Sequence, residues 1–201
     1  MQYMALENPR QRLIFLLAGP SGAGKNTLIK ALLDRVDNIN QLPSVTTRPR
    51  RPNEEENVHH KFVPEQEFIQ CISEDKFIEW KVSYGHYYGT LRSIITASFD
   101  SNHDHIADID IWGSIKIKEK HPRNVIIVFI RTSTLAVLEQ RLRHRGLLTS
   151  EQIADRLATA QRELALIEQS DYVISNDELQ SAVTRLVDII AIERNGIANR
   201  D

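Results

Sequence analysis

Apolar residues along the chain fall into short continuous runs separated by stretches with helical spacing. The run "RLIFLLAG" from Arg12 is brief, almost wholly apolar and closed by glycine, as a strand buried on both faces would be. Directly after it Leu28, Ile29, Leu32 and Leu33 recur at the helical period, which predicts a helix over 26–34. Three further runs read as short buried strands: "HIADIDI" (105–111), "NVIIVFI" (124–130) and "DYVIS" (171–175). Helical patterns over 91–99, 114–120, 134–143, 150–169 and 178–192 separate and follow them. Strand and helix alternating in this way predict a parallel sheet covered by helices on both faces.

Residues 41–90 break the rhythm. They are rich in Pro, Arg, Glu and His, with short alternating pieces such as "HHKFV" and "FIEWKVSYGHYYG" and one helical pattern near 65–74. This predicts an inserted lobe of short antiparallel strands. A second interruption, "RHRGLLTSEQ" (143–152), lies between two helical patterns and carries Arg and Gly, as a mobile lid would. At 201 residues the chain can bury about 70% of the surface its unfolded form exposes, so core size is no constraint. The formal net charge of -2 leaves no global positive field for nucleic acid or an anionic membrane, and any polyanion must be recognised locally. Cys71 is the sole cysteine, which excludes an internal disulfide and fits a reducing compartment. No apolar run reaches transmembrane length, and residues 1–12 lack the apolar centre of a signal peptide. A cytoplasmic protein with neither nucleic-acid nor membrane partners is expected.

The candidate chemistry begins at "LAGPSGAGKNTLIK" (17–30). Gly19, Pro20, Ser21, Gly22, Ala23, Gly24 and Lys25 form a phosphate-binding pattern between the expected strand and the expected helix, the context that gives such a pattern meaning. A turn of this kind aims successive backbone N–H groups and a helix N-terminus at an anion, and the lysine reaches the outer phosphates. Asn26 stands where the pattern has Ser or Thr, and Thr27 supplies a hydroxyl one position later. The Asn26 amide can accept a hydrogen bond from a metal-bound water, and Mg²⁺ habitually keeps several waters. The histidines at 59, 60, 103 and 105 have no spaced third ligand beside them and read as solvated loop residues.

Past this loop, "SVTTRPRRPNE" (44–54), "FIEW" (77–80), "GHYYGT" (85–90) and "DIDIWG" (108–113) follow in order, with "RLRHRG", "RLATAQREL" and "VISNDEL" after them. Together they resemble the guanylate kinase family over residues 12–190. The resemblance implies an α/β fold: a three-layer P-loop kinase core with a parallel sheet (12–40, 91–140 and 157–195), an inserted small mixed β/α lobe that binds the nucleoside monophosphate (41–90), and a helical lid (141–156). It implies Mg²⁺-dependent transfer of the γ-phosphoryl group of ATP to GMP or dGMP. The ATP phosphates would lie on residues 19–27 and under Arg141, Arg145 and Arg156, with Asn176 near the adenine. The GMP phosphate would be held by Arg48, Arg51, His60 and Tyr88. Glu79 and Asp110 would read the donor edge of guanine, while Ser44 and Thr90 approach O6. Asp108 could orient a water of the metal, which has no direct protein ligand and lies near Asn26, Thr27 and Asp108. The chain departs from the family pattern at Asn26, at His60 in place of Tyr, and at Trp112 in place of Gln. Two other readings stay open: a related kinase for another phosphorylated acceptor, such as a ribose bisphosphate, and a non-catalytic module that binds phosphopeptides.

Overall fold

The computed structural model describes residues 12–50, 54–56, 60–144, 146 and 148–198. A five-stranded, wholly parallel sheet forms its centre, built from β1 (Ile14–Ala18), β2 (Ile39–Gln41), β7 (Asp104–Asp108), β8 (Val125–Arg131) and β9 (Tyr172–Ser175) in the order β2-β7-β1-β8-β9. The period of two in a strand explains why β1 had to be apolar throughout. Leu13, Phe15 and Leu17 point to one face, where Leu28, Ile29 and Leu32 of α1 (Lys25–Leu33) and Val183, Leu186 and Ile190 of α7 (Leu179–Ala198) close over them. Ile14 and Leu16 point to the other, against Ile95 of α3 (Arg92–Phe99) and Ile117 of α4 (Ile111–Lys120). The result is the three-layer α/β arrangement.

A second, four-stranded sheet of order β4-β3-β6-β5 lies between β2 and α3 in sequence. It comprises β3 (Ser44–Thr46), β4 (His60–Phe62), β5 (Phe77–Ser83) and β6 (His86–Leu91), with α2 (Glu65–Ser73) packed on it. Its small core is Val45, Val63, Phe68 and Phe77, the two phenylalanine rings stacked at 4.4 Å. The sheet is not purely antiparallel as the alternation predicts: β3 and β4 run parallel, Ser44 pairing with His60 and Thr46 with Phe62, while the β3–β6 and β5–β6 pairs are antiparallel.

The strands and helices otherwise sit within about three residues of their predicted positions, apart from α7, which runs on to Ala198, past the expected end at 192, and three further differences. The run 105–111 is not one strand, since β7 ends at Asp108 and Asp110 caps α4. The helix expected over 150–169 ends at Leu164 as α6 (Ser150–Leu164), and a 3₁₀ turn at Ile167–Gln169 follows it. The edge strand β2 was not foreseen, because three residues are too few to show a period. Between α4 and α6, the helix α5 (Leu135–His144) shares a small core of Leu138, Leu142, Ile153 and Ala160 with α6.

Candidate active site

The phosphate loop leaves the C-terminal end of β1, the central strand, where open parallel sheets place their ligands. Its glycines are demanded by space as well as by torsion. Gly19 has φ +122, and a Cβ there would meet the Ile130 carbonyl oxygen at 2.1 Å. Gly24 has φ +92, and a Cβ there would lie 2.4 Å from the Asn176 side-chain nitrogen. Asn176 is itself buried and donates to the Ala23 carbonyl at 2.7 Å, so this residue braces the loop from the β9 side. Lys25 opens α1 and folds back, donating to the carbonyls of Gly19 (2.6 Å) and Pro20 (3.2 Å) and lying 3.5 Å from Asp108. Asn26 and Thr27 are exposed beside it.

Two arginines of α5 and α6 approach the same loop, one through Asn176 and one directly at Ser21. Arg141 of α5 donates to the Asn176 carbonyl at 2.7 Å. Arg156 of α6 donates to the Ser21 hydroxyl at 2.8 Å, and its guanidinium lies 4.1 Å over the ring of Tyr84 at the tip of the β5–β6 hairpin. Arg145 and Arg51 lie outside the described residues. Arg143 and Arg50 are exposed, Arg143 paired with Glu139 one turn earlier.

Opposite the loop, the second sheet supplies polar side chains to a shared pocket. Asn26, Ser44, His60, Thr90 and Asp108 all line it. The Ser44 hydroxyl and His60 Nδ1 are 2.6 Å apart, and the His60 ring meets the edge of Tyr88. Arg48 is buried and lies bidentate on Glu54 at 2.5 and 2.7 Å, its guanidinium facing Phe62. Burial lowers its pKa, but Glu54 and Tyr88 outweigh that and the net direction is up. Trp112, on the first turn of α4, is 39% exposed.

The two carboxylates expected to read a base are together. Glu79 of β5 accepts the Thr90 hydroxyl at 2.7 Å, and its other oxygen packs against Gly113 of α4, where a Cβ would come within 2.9 Å. Asp110 accepts the Gly113 N–H at 2.8 Å with one oxygen and the Lys81 ammonium at 2.6 Å with the other. Burial, with Asp110 adding to it, drives the Glu79 carboxyl up to about 7.

Four side chains in this region carried no expectation: Glu54, Lys81, Tyr84 and Glu163. Glu163 is 5% exposed, its carboxyl pushed up by burial against the pull of Lys25 and Lys81. A sequence signal for it exists, since it sits on the buried stripe of α6 with Ile153 and Ala160. For Glu54, Lys81 and Tyr84 the partner is fixed only by tertiary contact.

Comparison with known proteins bears on the family and the fold. The family model for guanylate kinase matches residues 10–193. The guanylate kinase of Pseudoalteromonas translucida is 40% identical over 90% of this chain and 87% of its own length. That of Syntrophomonas wolfei is 39% identical over 94% of this chain and 97% of its own. Among solved structures, a guanylate kinase from Anaplasma phagocytophilum superposes with a TM-score of 0.71 at 28% identity, covering 92% of this chain and 87% of that one. A gluconokinase from Sinorhizobium meliloti, 16% identical with a TM-score of 0.55 over 96% of this chain and 99% of that one, shares the fold alone. With the family model spanning residues 10–193 and relatives of this identity covered over most of their length, the chain belongs to the guanylate kinase family.

Proposed function

We propose that the chain moves the γ-phosphoryl group of ATP to GMP or dGMP, giving ADP and the nucleoside diphosphate. The observation that carries this reading is the meeting, at the C-terminal edge of β1 and β7, of a lysine-bearing phosphate loop with a pocket lined by Asn26, Ser44, His60, Thr90 and Asp108, in which Thr90 bonds the buried Glu79 carboxylate just behind it. Guanine offers N1–H and its 2-amino group as donors, and a carboxylate accepts from both. Glu79 and Asp110 take that role, with Ser44 and Thr90 toward O6. Arg48, Arg51, His60 and Tyr88 hold the acceptor phosphate. Arg48 keeps N–H groups beyond those given to Glu54, so it can serve a phosphate without releasing that carboxylate.

In the reaction an acceptor phosphate oxygen bonds to the γ-phosphorus as the bond to the β,γ-bridging oxygen breaks, and ADP leaves with the electron pair. Little covalent chemistry falls to the protein; it aligns the groups and balances charge. Lys25, Arg141, Arg145 and Arg156 supply positive charge around the moving group, and the backbone N–H groups of 19–27 cradle the donor phosphates. Mg²⁺ supplies charge neutralisation across the phosphates when bound. The hard oxygen donors nearby, the partly exposed Asp108 carboxylate and the exposed Asn26 and Thr27, suit an ion held through phosphate oxygens and water. Residues 12–40, 91–140 and 157–195 act as the core, 41–90 as the acceptor lobe and 141–156 as the lid, whose closure excludes water. Among the described residues no helix is long and apolar enough to cross a membrane, and a cytoplasmic enzyme is the reading that suits the nucleotide substrates.

A coupled assay of ADP release with Mg-ATP against GMP, dGMP, AMP and ribose bisphosphate tests the proposal. Turnover with the guanine nucleotides is expected. Turnover confined to another acceptor, or none with any acceptor, would overturn it.

A further inference from the structure

Lys81 occupies a position in the base site that the proposed reaction does not use. It lies two residues after Glu79 on β5, so the two side chains share one face of the strand, while Trp80 and Val82 stand exposed on the other. That face looks onto the N-terminal turn of α4, where Asp110 caps the helix. One strand of the inserted sheet thus delivers a carboxylate and an ammonium together to a second carboxylate on the core. Asp110 is 8% exposed at its side chain and bonds Lys81 with the oxygen that does not cap α4.

We propose that Lys81 is a specificity-determining positioning residue: bonded to Asp110, its ammonium holds the Glu79 and Asp110 carboxylates in the acceptor form that the donor edge of guanine requires. The inference rests on the assignment of that pair to guanine. Two carboxylates in a nearly dry site repel each other, and the cheapest relief is for one of them to take up a proton. A protonated carboxyl carries an O–H that would face the N–H of guanine, donor against donor, and the recognition fails. Burial and the Asp110 charge push Glu79 in that direction, while the Thr90 hydroxyl of β6, Lys81 and, more distantly, Lys116 of α4 oppose it. Lys81 is also drawn to Glu163 of α6, so it faces carboxylates on its own strand, at the start of α4 and on α6. Its bond to Asp110 does not block the base, because a carboxylate oxygen has a second lone pair to offer.

The test is the KM for GMP at saturating Mg-ATP from about pH 6.5 to about pH 9, measured for the wild type, Lys81→Met and Lys81→Arg. Taking the ratio of variant to wild type at each pH cancels the titration of the substrate phosphate. Without the Lys81 ammonium less of Glu79 is ionised at pH 7, so KM should rise there, on the order of fivefold. The rise should shrink to nearly nothing by about pH 9, kcat should hold throughout, and Lys81→Arg should track the wild type. A ratio that is the same at every pH, or no rise at all, would overturn the inference. Melting curves check each variant, and if Lys81→Met does not fold, Lys81→Gln is read in the same way. A wild type inactive on GMP at every pH would instead overturn the proposed function, so the two failures are distinguishable.

Discussion

Lys25 carries two duties that a single substitution can separate. In the structure its ammonium is tied to the loop carbonyls of Gly19 and Pro20, and in the proposed reaction it follows the phosphoryl group. Lys25→Ala should therefore lower kcat by at least about a hundredfold, the scale seen when a charge-stabilising donor is removed, with GMP affinity changed less than about twofold. Isothermal titration with GMP alongside steady-state kinetics checks both halves, and a large loss of GMP affinity would contradict the role. Gly19→Ala should act differently, through stability. With φ +122 and a carbonyl oxygen 2.1 Å from the new Cβ, the loop must move, costing on the order of 3 kcal/mol or more in chemical denaturation. The loop was legible from sequence because its requirements are local, set by backbone torsions over nine residues. The ion pair of Lys81 with Asp110 was not, since nothing in either residue's neighbourhood names a partner 29 positions away. The same holds for Arg48, whose guanidinium rests on Glu54 six residues on, in a loop with no period to read.

Elements buried on both faces were the easiest to read, because a strand such as β1 or β8 has no polar position to blur its run. The end of α6 was harder: "LALIEQ" continues the helical period, yet the chain turns at Leu164 so that Leu164, Leu166 and Ile167 can reach the Phe129 cluster. Tertiary packing overrode local periodicity there. The β5–β6 hairpin shows a local feature serving a distant one. Tyr84 (φ 51) and Gly85 (φ 78) both lie in the left-handed region, the torsions of a tight hairpin turn that usually recruits Asn or Gly first. An aromatic residue tolerates this poorly, and what it gains is the face-on contact with Arg156 of α6. Tyr84→Asn should relieve the turn while losing that contact, so the melting temperature changes little but kcat/KM for ATP falls about fivefold, the equivalent of ~1 kcal/mol. Tyr84→Phe keeps the ring and should match the wild type. Equal losses in both variants would locate the effect in the hydroxyl instead.

At the scale of the whole molecule, the proposed base site sets recognition against stability. Glu79 is 8% exposed and titrates at about 7 rather than at its usual 4.5, with burial the largest cause and Asp110 adding to it. A carboxyl whose folded value is raised binds its proton more tightly in the native state than when unfolded. Its contribution to stability is then fully present below about 4.5 and lost as pH rises through about 7. The unliganded protein should thus lose stability between about pH 4.5 and pH 7 on account of this one group, by on the order of 2–3 kcal/mol. Glu79→Gln cannot titrate, so the difference in unfolding free energy between wild type and variant, followed by urea denaturation across that window, isolates the effect. It should favour the wild type most at the acid end. GMP should reverse the trend at about pH 8, stabilising the wild type and leaving Glu79→Gln nearly unmoved, because the ionised carboxylate that burdens the empty site is the group that the donor edge of guanine satisfies. A pH-independent difference between the two proteins would mean that Glu79 is already ionised in the empty site, and the ammonium of Lys81 would then be more than sufficient to hold the pair open for the base.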